Sequence, residues 1–274
     1  MRNLATKIED YLLFHHIHKD LSPLVNGLSR PRLSSYNHLG NHTTCQQIRK
    51  YQYNMRLSLE FFNLISFLEI LLRNSISSAW ANHLKEDFPM IHSNFELNFG
   101  YETDSKTKVF KLDRRGNKVK TKQFENILKA YKAGSKTANT QSRAMINGDV
   151  ISNLMFGFWR FCFDAHFISI NQTQISWIFP HHDMNKRKPE AVAKKVRIML
   201  DEINDLRNRI AHHDKIFHKK EIRKVHLFYI LTLIKWIDPK ALHFSNYKRI
   251  NILLESGWSF FEKSIYDDFP PNTF

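Results

Sequence analysis

Three polar residues in one six-residue segment have side chains that can bind an anion, orient a neighbouring group and transfer a proton. They are Arg207, Asn208 and His212. A guanidinium is a fixed cation for phosphate, an amide orients its neighbours, and an imidazole transfers protons near neutral pH. In a metal-free ribonuclease a 2′-hydroxyl loses its proton, attacks the adjacent phosphate and displaces a 5′-oxygen that must gain a proton. The segment contains the groups for each of these steps.

The surrounding apolar pattern predicts a helix over about 190–211, called the motif helix below. Its inward stripe consists of Val196, Met199, Ile203, Leu206 and Ile210. At 100° per residue, Arg207 lies at the margin of this stripe, about 40° from Ile203. His212 lies on the opposite side, about 180° away, and is therefore not predicted to be a core histidine.

An ordinary surface histidine is the main alternative for His212, because outward-facing histidines are common. One histidine also does not easily perform both proton transfers. If the outer face of the motif helix met its own copy across a two-fold axis, two histidines and two arginines would line one cleft. A catalytic interpretation therefore predicts a homodimer through this helix.

The composition indicates a folded, mostly helical chain with an anionic partner. Apolar residues occupy 42% of the 274 positions and aromatic residues 13%, too much for a disordered chain. Eight Gly and eight Pro are about half the usual share of turn formers, which disfavours sandwiches and barrels. The 41 Lys and Arg against 26 Asp and Glu give a net charge of +15. Nucleic acid, a membrane surface and an acidic protein are the candidate partners.

Other sequence features favour a cytoplasmic location and exclude several function classes. Cys45 and Cys162 supply neither a disulfide framework nor a cysteine-rich zinc site, so we expect a reducing compartment. The N-terminal segment lacks a secretory signal, and charged residues interrupt the longest apolar segments, which predicts no membrane-spanning segment. Of the candidate partners we expect RNA and no membrane. Glycine-rich phosphate loops are absent, so we expect no nucleotide cofactor.

Several further elements follow from local patterns. Apolar residues at spacings of three and four, without Gly or Pro, predict a helix from Thr43 to about Leu84. Small polar residues over 134–141 indicate a flexible connection, and an aromatic-rich helix is predicted over 149–170. Helices over about 219–236 and 247–256 complete the pattern, in which residues 1–274 form a single domain.

A basic β-hairpin is predicted as an insertion over 93–122, where alternating apolar and charged residues flank a Gly-Asn turn. A solvated edge ribbon, whose lysines prevent strand aggregation, is one interpretation. The other is a ribbon that lies on phosphates. A second basic loop spans 180–189. The candidate RNA contacts in these two segments are Lys108, Lys111, Arg114, Arg115, Lys118, Lys120, Lys186, Arg187 and Lys188.

The segment Arg207-Asn-Arg-Ile-Ala-His212 resembles the R-N-x-x-x-H motif of the HEPN superfamily of helical ribonucleases. The resemblance is closest to bacterial abortive-infection proteins of the AbiD/AbiF type. Four blocks occur in that family's order: residues 29–36, 68–76, 148–159 and 206–217. An ordered set of blocks is far more specific than a single R-x4-H spacing.

The resemblance implies an all-α HEPN-like bundle that dimerises through the motif helix. It implies metal-independent cleavage of RNA, leaving a 2′,3′-cyclic phosphate and a 5′-hydroxyl, and damage to host RNA that halts phage infection. Some relatives are held in check by a small RNA antitoxin. His212 would be the acid/base residue and Arg207 the phosphate clamp. Asn208 would orient the site, and His213 would be a second contact or part of the helix end.

Glu69, Arg73 and Asn74 lie in the second block and are candidate supporting residues. Glu69 and Arg73 are four residues apart, so an ordinary helix ion pair is one interpretation. The other is that the pair braces the motif helix or contributes to the cleft.

Two other functions remain open. The first is an RNA-binding protein without catalysis, in which the motif serves dimerisation. The second is a metal site that uses His181, His182, His212 and His213. No cysteine or carboxylate spacing supports a closed metal shell, so no metal is expected.

Overall fold

The computed structural model describes residues 26–36, 44–84, 100–104, 106–107, 109–164, 175–183, 188–245 and 247–268. It is mostly helical, with 72% helix, which confirms the all-α class. The α-helices are α1 (Arg30–Ser34), α2 (Thr44–Leu84), α3 (Lys122–Thr140), α4 (Asn147–Ile151), α5 (Phe156–Phe161), α6 (Ile175–Ile178), α7 (Pro189–Ala211), α8 (Lys220–Ile237) and α9 (Tyr247–Asp268). A 3₁₀ helix, Pro239–Phe244, separates the last two, and α9 is kinked at Gly257. Among the described helices, none has a stretch long and apolar enough to cross a membrane.

The chain divides into two compact units. One comprises Met1–Ser58 with Glu255–Phe274, and the other comprises Leu59–Leu254. In the first unit the ring of Tyr36 meets that of Tyr51 edge to face, with centroids 5.7 Å apart. The second unit contains the three later blocks and the motif helix. The single domain over 1–274 stays a prediction.

Helix α2 begins at Thr44 and continues unbroken to Leu84, which confirms the predicted element. Its core positions recur at helical spacing, as the apolar pattern predicts. Six of them are buried within the second unit: Phe61, Leu64, Ile65, Leu68, Leu72 and Ile76.

The helix predicted over 149–170 is only partly correct. The chain forms two short helices, α4 and α5, separated by residues 152–155, and residues 165–170 lie outside the described part. The side chains of Ser152 and Asn153 both donate to the carbonyl oxygen of Asp149, at 3.3 and 2.7 Å. Side chains that bond to nearby carbonyls compete with helix continuation. The predicted aromatic core is present, because Phe156, Phe158 and Trp159 are buried.

The flexible connection predicted over 134–141 is wrong, since α3 continues to Thr140. Gly134 is buried where α3 packs on α4. A Cβ at this position would lie 2.9 Å from the backbone carbon and oxygen of Asp149. The small residues of this segment, Gly134 and Ala138 among them, allow two helices to approach closely, and they do not indicate flexibility.

Residues 100–121 form three short extended segments joined by single antiparallel bridges: Tyr101 with Lys120, Thr103 with Phe110, and Leu112 with Lys118. Gly116 has a φ of 80°, a conformation that favours glycine in tight turns. Isolated bridges pair single residues and do not form the continuous strands of a hairpin. Residues 93–99 lie outside the described part. The hairpin insertion over 93–122 therefore stays a prediction.

Candidate active site

The motif helix, α7, is oriented as its sequence predicts. Pro189 occupies its first turn, a position that proline favours because its missing N–H has no helical partner there. All five residues of the predicted inward stripe are buried. Arg207 is half-buried at the margin, whereas Asn208 and His212 are exposed. The outer face therefore presents an amide and an imidazole to solvent.

The end of α7 is closed by a Schellman motif. His213 donates its N–H to the carbonyl of Ile210 at 2.9 Å, and Asp214 donates to that of Arg209 at 2.8 Å. His213 has a φ of 56°, in the left-handed region where glycine is the usual residue. His212 is the C-cap, and its N–H donates to the carbonyl of Asn208 at 2.9 Å. The two adjacent histidines thus lie on a sharp, hydrogen-bonded turn.

The segment after this turn is held by two arginines. Arg209 Nη2 donates to the carbonyl of Lys215 at 2.9 Å. Arg223 Nε, from α8, donates to the carbonyl of Ile216 at 3.0 Å. Arg223 is buried, and Ile216 is also buried.

Glu69 of α2 lies near Arg207 of the motif helix. Burial raises the pKa of the Glu69 carboxyl, and the charges of Arg207 and Arg73 oppose that rise. Arg207 has the larger opposing effect, although Arg73 is on the same helix as Glu69. The carboxylate thus interacts electrostatically with an arginine on its own helix and with one on the motif helix, and the bracing interpretation stays a prediction. Asn74 is exposed on α2.

Helix α2 also contacts the segment that contains α4. Asn147 Nδ2 donates to Ser77 Oγ at 2.5 Å, and Ser77 is buried. Ser75 Oγ donates to the carbonyl of Ile178 at 2.7 Å. Glu69 therefore places the block at 68–76 near the motif helix. Ser77, the residue after this block, contacts the start of α4.

An ion-pair network joins α5 to α7. Arg160 of α5 pairs with Asp201 of α7. Arg197 also contacts Asp201, four residues later, with its Nε 3.0 Å from Oδ2, and it pairs with Asp164. The block at 148–159 is thus fixed to the motif helix by charged contacts at its end.

The predicted RNA contacts are not all brought to this site. Lys108, Lys186 and Arg187 lie outside the described residues. Lys188 is the N-cap of α7, so it lies about 36 Å from His212 along the helix axis. The cations of residues 111–120 are exposed on the bridged segments. Two of them have contacts there: Lys111 Nζ lies 3.1 Å from Glu102, and Lys118 Nζ lies over the Phe110 ring, 4.2 Å from its centroid.

The four histidines of the metal alternative lie at two ends of one helix pair. The ring of His182 is 4.2 Å from that of Trp236, and Lys195 lies over the same indole at 5.3 Å. His212 is 17 residues beyond Lys195 on α7, about 25 Å along the axis. Within the described part of the chain, no three His, Cys, Asp or Glu side chains form a group that could hold a metal ion.

Sequence reasoning missed Arg223 and the two arginine contacts to the segment after the turn. A signal was present, because the buried face of α8 includes Arg223, His226, Leu227, Ile230, Leu233 and Ile234. These positions follow one helical stripe. Arg223 and His226 occupy positions on the same helix face as the apolar residues. Polar side chains at such positions are expected to be buried and hydrogen-bonded to specific partners.

Comparison with known proteins identifies one family. The model of the family described as "Abi-like protein" matches residues 21–218, more than half of the chain. No curated protein and no solved structure matches.

Proposed function

The chain belongs to the Abi-like protein family, and from this premise we propose that it is a metal-independent HEPN-type endoribonuclease. Family membership points to abortive infection, the defence in which an infected bacterial cell stops phage propagation. The substrate in this proposal is host RNA in the cytoplasm. A small antitoxin RNA is the proposed inhibitor in the uninfected cell.

Each residue of the motif has a chemical role. His212 removes the proton from the 2′-hydroxyl, which attacks the adjacent phosphorus while the bond to the 5′-oxygen breaks. A second imidazole donates a proton to the leaving 5′-oxygen. Arg207 balances the extra negative charge on the phosphate, and Asn208 orients the reacting groups. The products are a 2′,3′-cyclic phosphate and a 5′-hydroxyl.

The second imidazole comes from a second copy of the chain in this proposal. The outer face of α7 supports it, because Asn208, His212 and Asp205 are exposed there. Ile198 lies on the same side and is 51% exposed, an apolar group that a dimer interface would bury. Two copies related by a two-fold axis would place one base and one acid in a shared cleft.

The relationship between Glu69 and Arg207 is the observation that carries the proposal. The carboxylate of Glu69, on another helix, is near enough to Arg207 for the two charges to interact, so the guanidinium at the edge of the motif face, next to exposed Asn208 and His212, has a carboxylate in its surroundings. A helix used only for packing gains little from such an arrangement. A phosphate clamp needs it, because a positioned cation stabilises developing charge without reorganisation.

The decisive experiment incubates purified protein with RNA in the presence of EDTA and identifies the new ends. We expect cyclic phosphate and 5′-hydroxyl ends from the unmodified chain. Arg207→Ala and His212→Ala should lower cleavage by about 100-fold or more and retain RNA affinity. His181→Ala is the matched control, since it removes an exposed histidine at the other end of the helix pair. RNA binding without cleavage by the unmodified chain would instead support the non-catalytic RNA-binding protein.

A further inference from the structure

The guanidinium of Arg223, on the buried face of α8, is not one of the groups that take part in the proposed reaction. Arg223 is 2% exposed. A buried cation is unfavourable unless it is paired and hydrogen-bonded. Burial, together with the nearby charge of Arg209, lowers the pKa of Arg223 to about 10, while Glu202 opposes the change. The side chain therefore remains charged at neutral pH.

The hydrogen bonds of Arg223 and Arg209 are directed to consecutive backbone groups. Arg223 Nε donates to the carbonyl of Ile216, and Arg209 Nη2 donates to the carbonyl of Lys215. The carbonyl of Arg209 in turn accepts the N–H of Asp214. The carbonyls of residues 215 and 216 therefore each accept a bond from a guanidinium, and Asp214 is held by the backbone carbonyl of Arg209. We call Arg209 and Arg223 the arginine clamp.

The clamp lies directly after the two histidines. His212 and His213 are held on one side by the helix carbonyls of Asn208 and Ile210. On the other side, the clamp holds the backbone two and three residues after His213. A non-glycine residue in the left-handed region, such as His213, persists only where the surroundings determine its conformation. The clamp supplies that constraint.

We infer that Arg209 and Arg223 are positioning residues that set the place of the His212 imidazole relative to Arg207. This inference rests on the proposed ribonuclease function. Neither guanidinium needs to touch RNA, because both act through the backbone at the end of the motif helix. Displacement of a catalytic group by about 1 Å lowers rates on the order of 100-fold, so the clamp is expected to affect kcat more than KM.

The test compares Arg223→Met and Arg209→Gln with Lys224→Met in the intact chain. Lys224 is the neighbour of Arg223 and pairs with Glu221 at 3.6 Å, so Lys224→Met is the matched control. We expect both clamp variants to lower kcat for RNA on the order of 10- to 100-fold with little change in KM. They should also shift the NMR ring signal of His212 and speed hydrogen exchange at the Asp214 amide. Lys224→Met should match the unmodified chain in all four measurements.

Two outcomes overturn the inference. One is a folded Arg223→Met protein with unchanged kcat and an unchanged His212 signal. The other applies if Arg223→Met does not fold. Arg209 is only half-buried, so Arg209→Gln is expected to fold, and an unchanged kcat with an unchanged His212 signal in that variant is the second outcome. If the unmodified chain cleaves no RNA, the proposed function fails. The His212 signal and Asp214 exchange then still decide whether the clamp fixes the histidine turn.

Discussion

Glu69 of α2 and Arg207 of α7, which are 138 residues apart in the sequence, are near enough for their charges to interact. Burial raises the pKa of the carboxyl, and Arg207 is the largest influence against that rise. This interaction links the second and fourth sequence blocks through charge. The second block therefore has an electrostatic interaction with the motif helix in addition to its contribution to the core.

Glu69→Gln is expected to lower RNA cleavage about tenfold while leaving RNA affinity equal or slightly higher. The amide keeps the volume but not the charge, so Arg207 loses the attraction of a nearby carboxylate while the positive charge near the phosphate increases. Kinetics with a short RNA and binding to a catalytically inactive His212→Ala background measure the two effects. Glu125→Gln on α3 is the exposed control. A Glu69→Gln enzyme with the kcat of the unmodified chain would show that the pair only stabilises the helix.

The rotation and end of α7 could be predicted from the sequence because both depend on local signals. The stripe from Val196 to Ile210 repeats with the helical period, and that period alone determines which side chains face outward. Exposure of His212 follows from the same arithmetic. Helix α2 was predictable for the same reason, since its apolar residues recur without Gly or Pro.

Features that depend on a distant partner could not be predicted. From the sequence, Gly134 indicates a flexible segment. In the structure it allows close packing against the backbone of Asp149, a residue 15 positions away. The separation of α4 and α5 depends on the side chains of Ser152 and Asn153, which donate to the carbonyl of Asp149. Helix propensity alone does not show whether such side-chain bonds or continued helical bonds are more favourable. The arginine clamp forms because α8 packs antiparallel to α7, which places Arg223 beside Ile216. Local sequence signals do not show this packing.

His213→Gly is expected to raise the thermal stability of the chain and to lower RNA cleavage. Glycine takes the left-handed conformation without the cost of about 1 kcal/mol that a side chain incurs there. The expected loss of cleavage rests on the proposal that the His213 imidazole, held in this left-handed conformation, is a second contact to RNA. Calorimetry and cleavage kinetics test the two parts. His213→Ala, which keeps the strain but removes the imidazole, should lose cleavage without gaining stability. Full activity in His213→Gly would assign the residue to the helix end alone.

Acid is expected to destabilise the start of α4, where Asp149 is bonded to the segment that joins α3 to α4. Arg143 donates to both carboxylate oxygens at 2.7 Å, and Ile146 donates its N–H at 2.9 Å. These bonds lower the pKa of Asp149 from 3.8 to about 2. The unfolded chain therefore binds more protons in this range, so the stabilisation is complete above about pH 5 and is lost as the pH falls towards 2.

Denaturant unfolding at a series of pH values measures this effect. Asp149→Asn should be less stable at pH 7 and should lose part of the pH dependence between 5 and 2. Arg143→Met should do the same, and the double variant should be no worse than Asp149→Asn alone if the two residues act as one pair. Unchanged pH dependence in Asp149→Asn would contradict the assignment.

The basic segment at 111–120 is expected to contact RNA phosphates through the cations at its turn. Arg114 and Arg115 are exposed there, whereas Lys111 is already paired with Glu102. Each phosphate contact that is lost reduces the dependence of log affinity on log salt by about 0.7 to 0.9. Removing both arginines as Arg114→Gln with Arg115→Gln, in the His212→Ala background, should weaken RNA binding and flatten the salt slope by about 1.5. Lys111→Gln should change the slope less, because its amine is paired with a carboxylate before RNA binds. An unchanged slope in the double variant would favour the solvated edge ribbon, whose lysines only prevent association between strands.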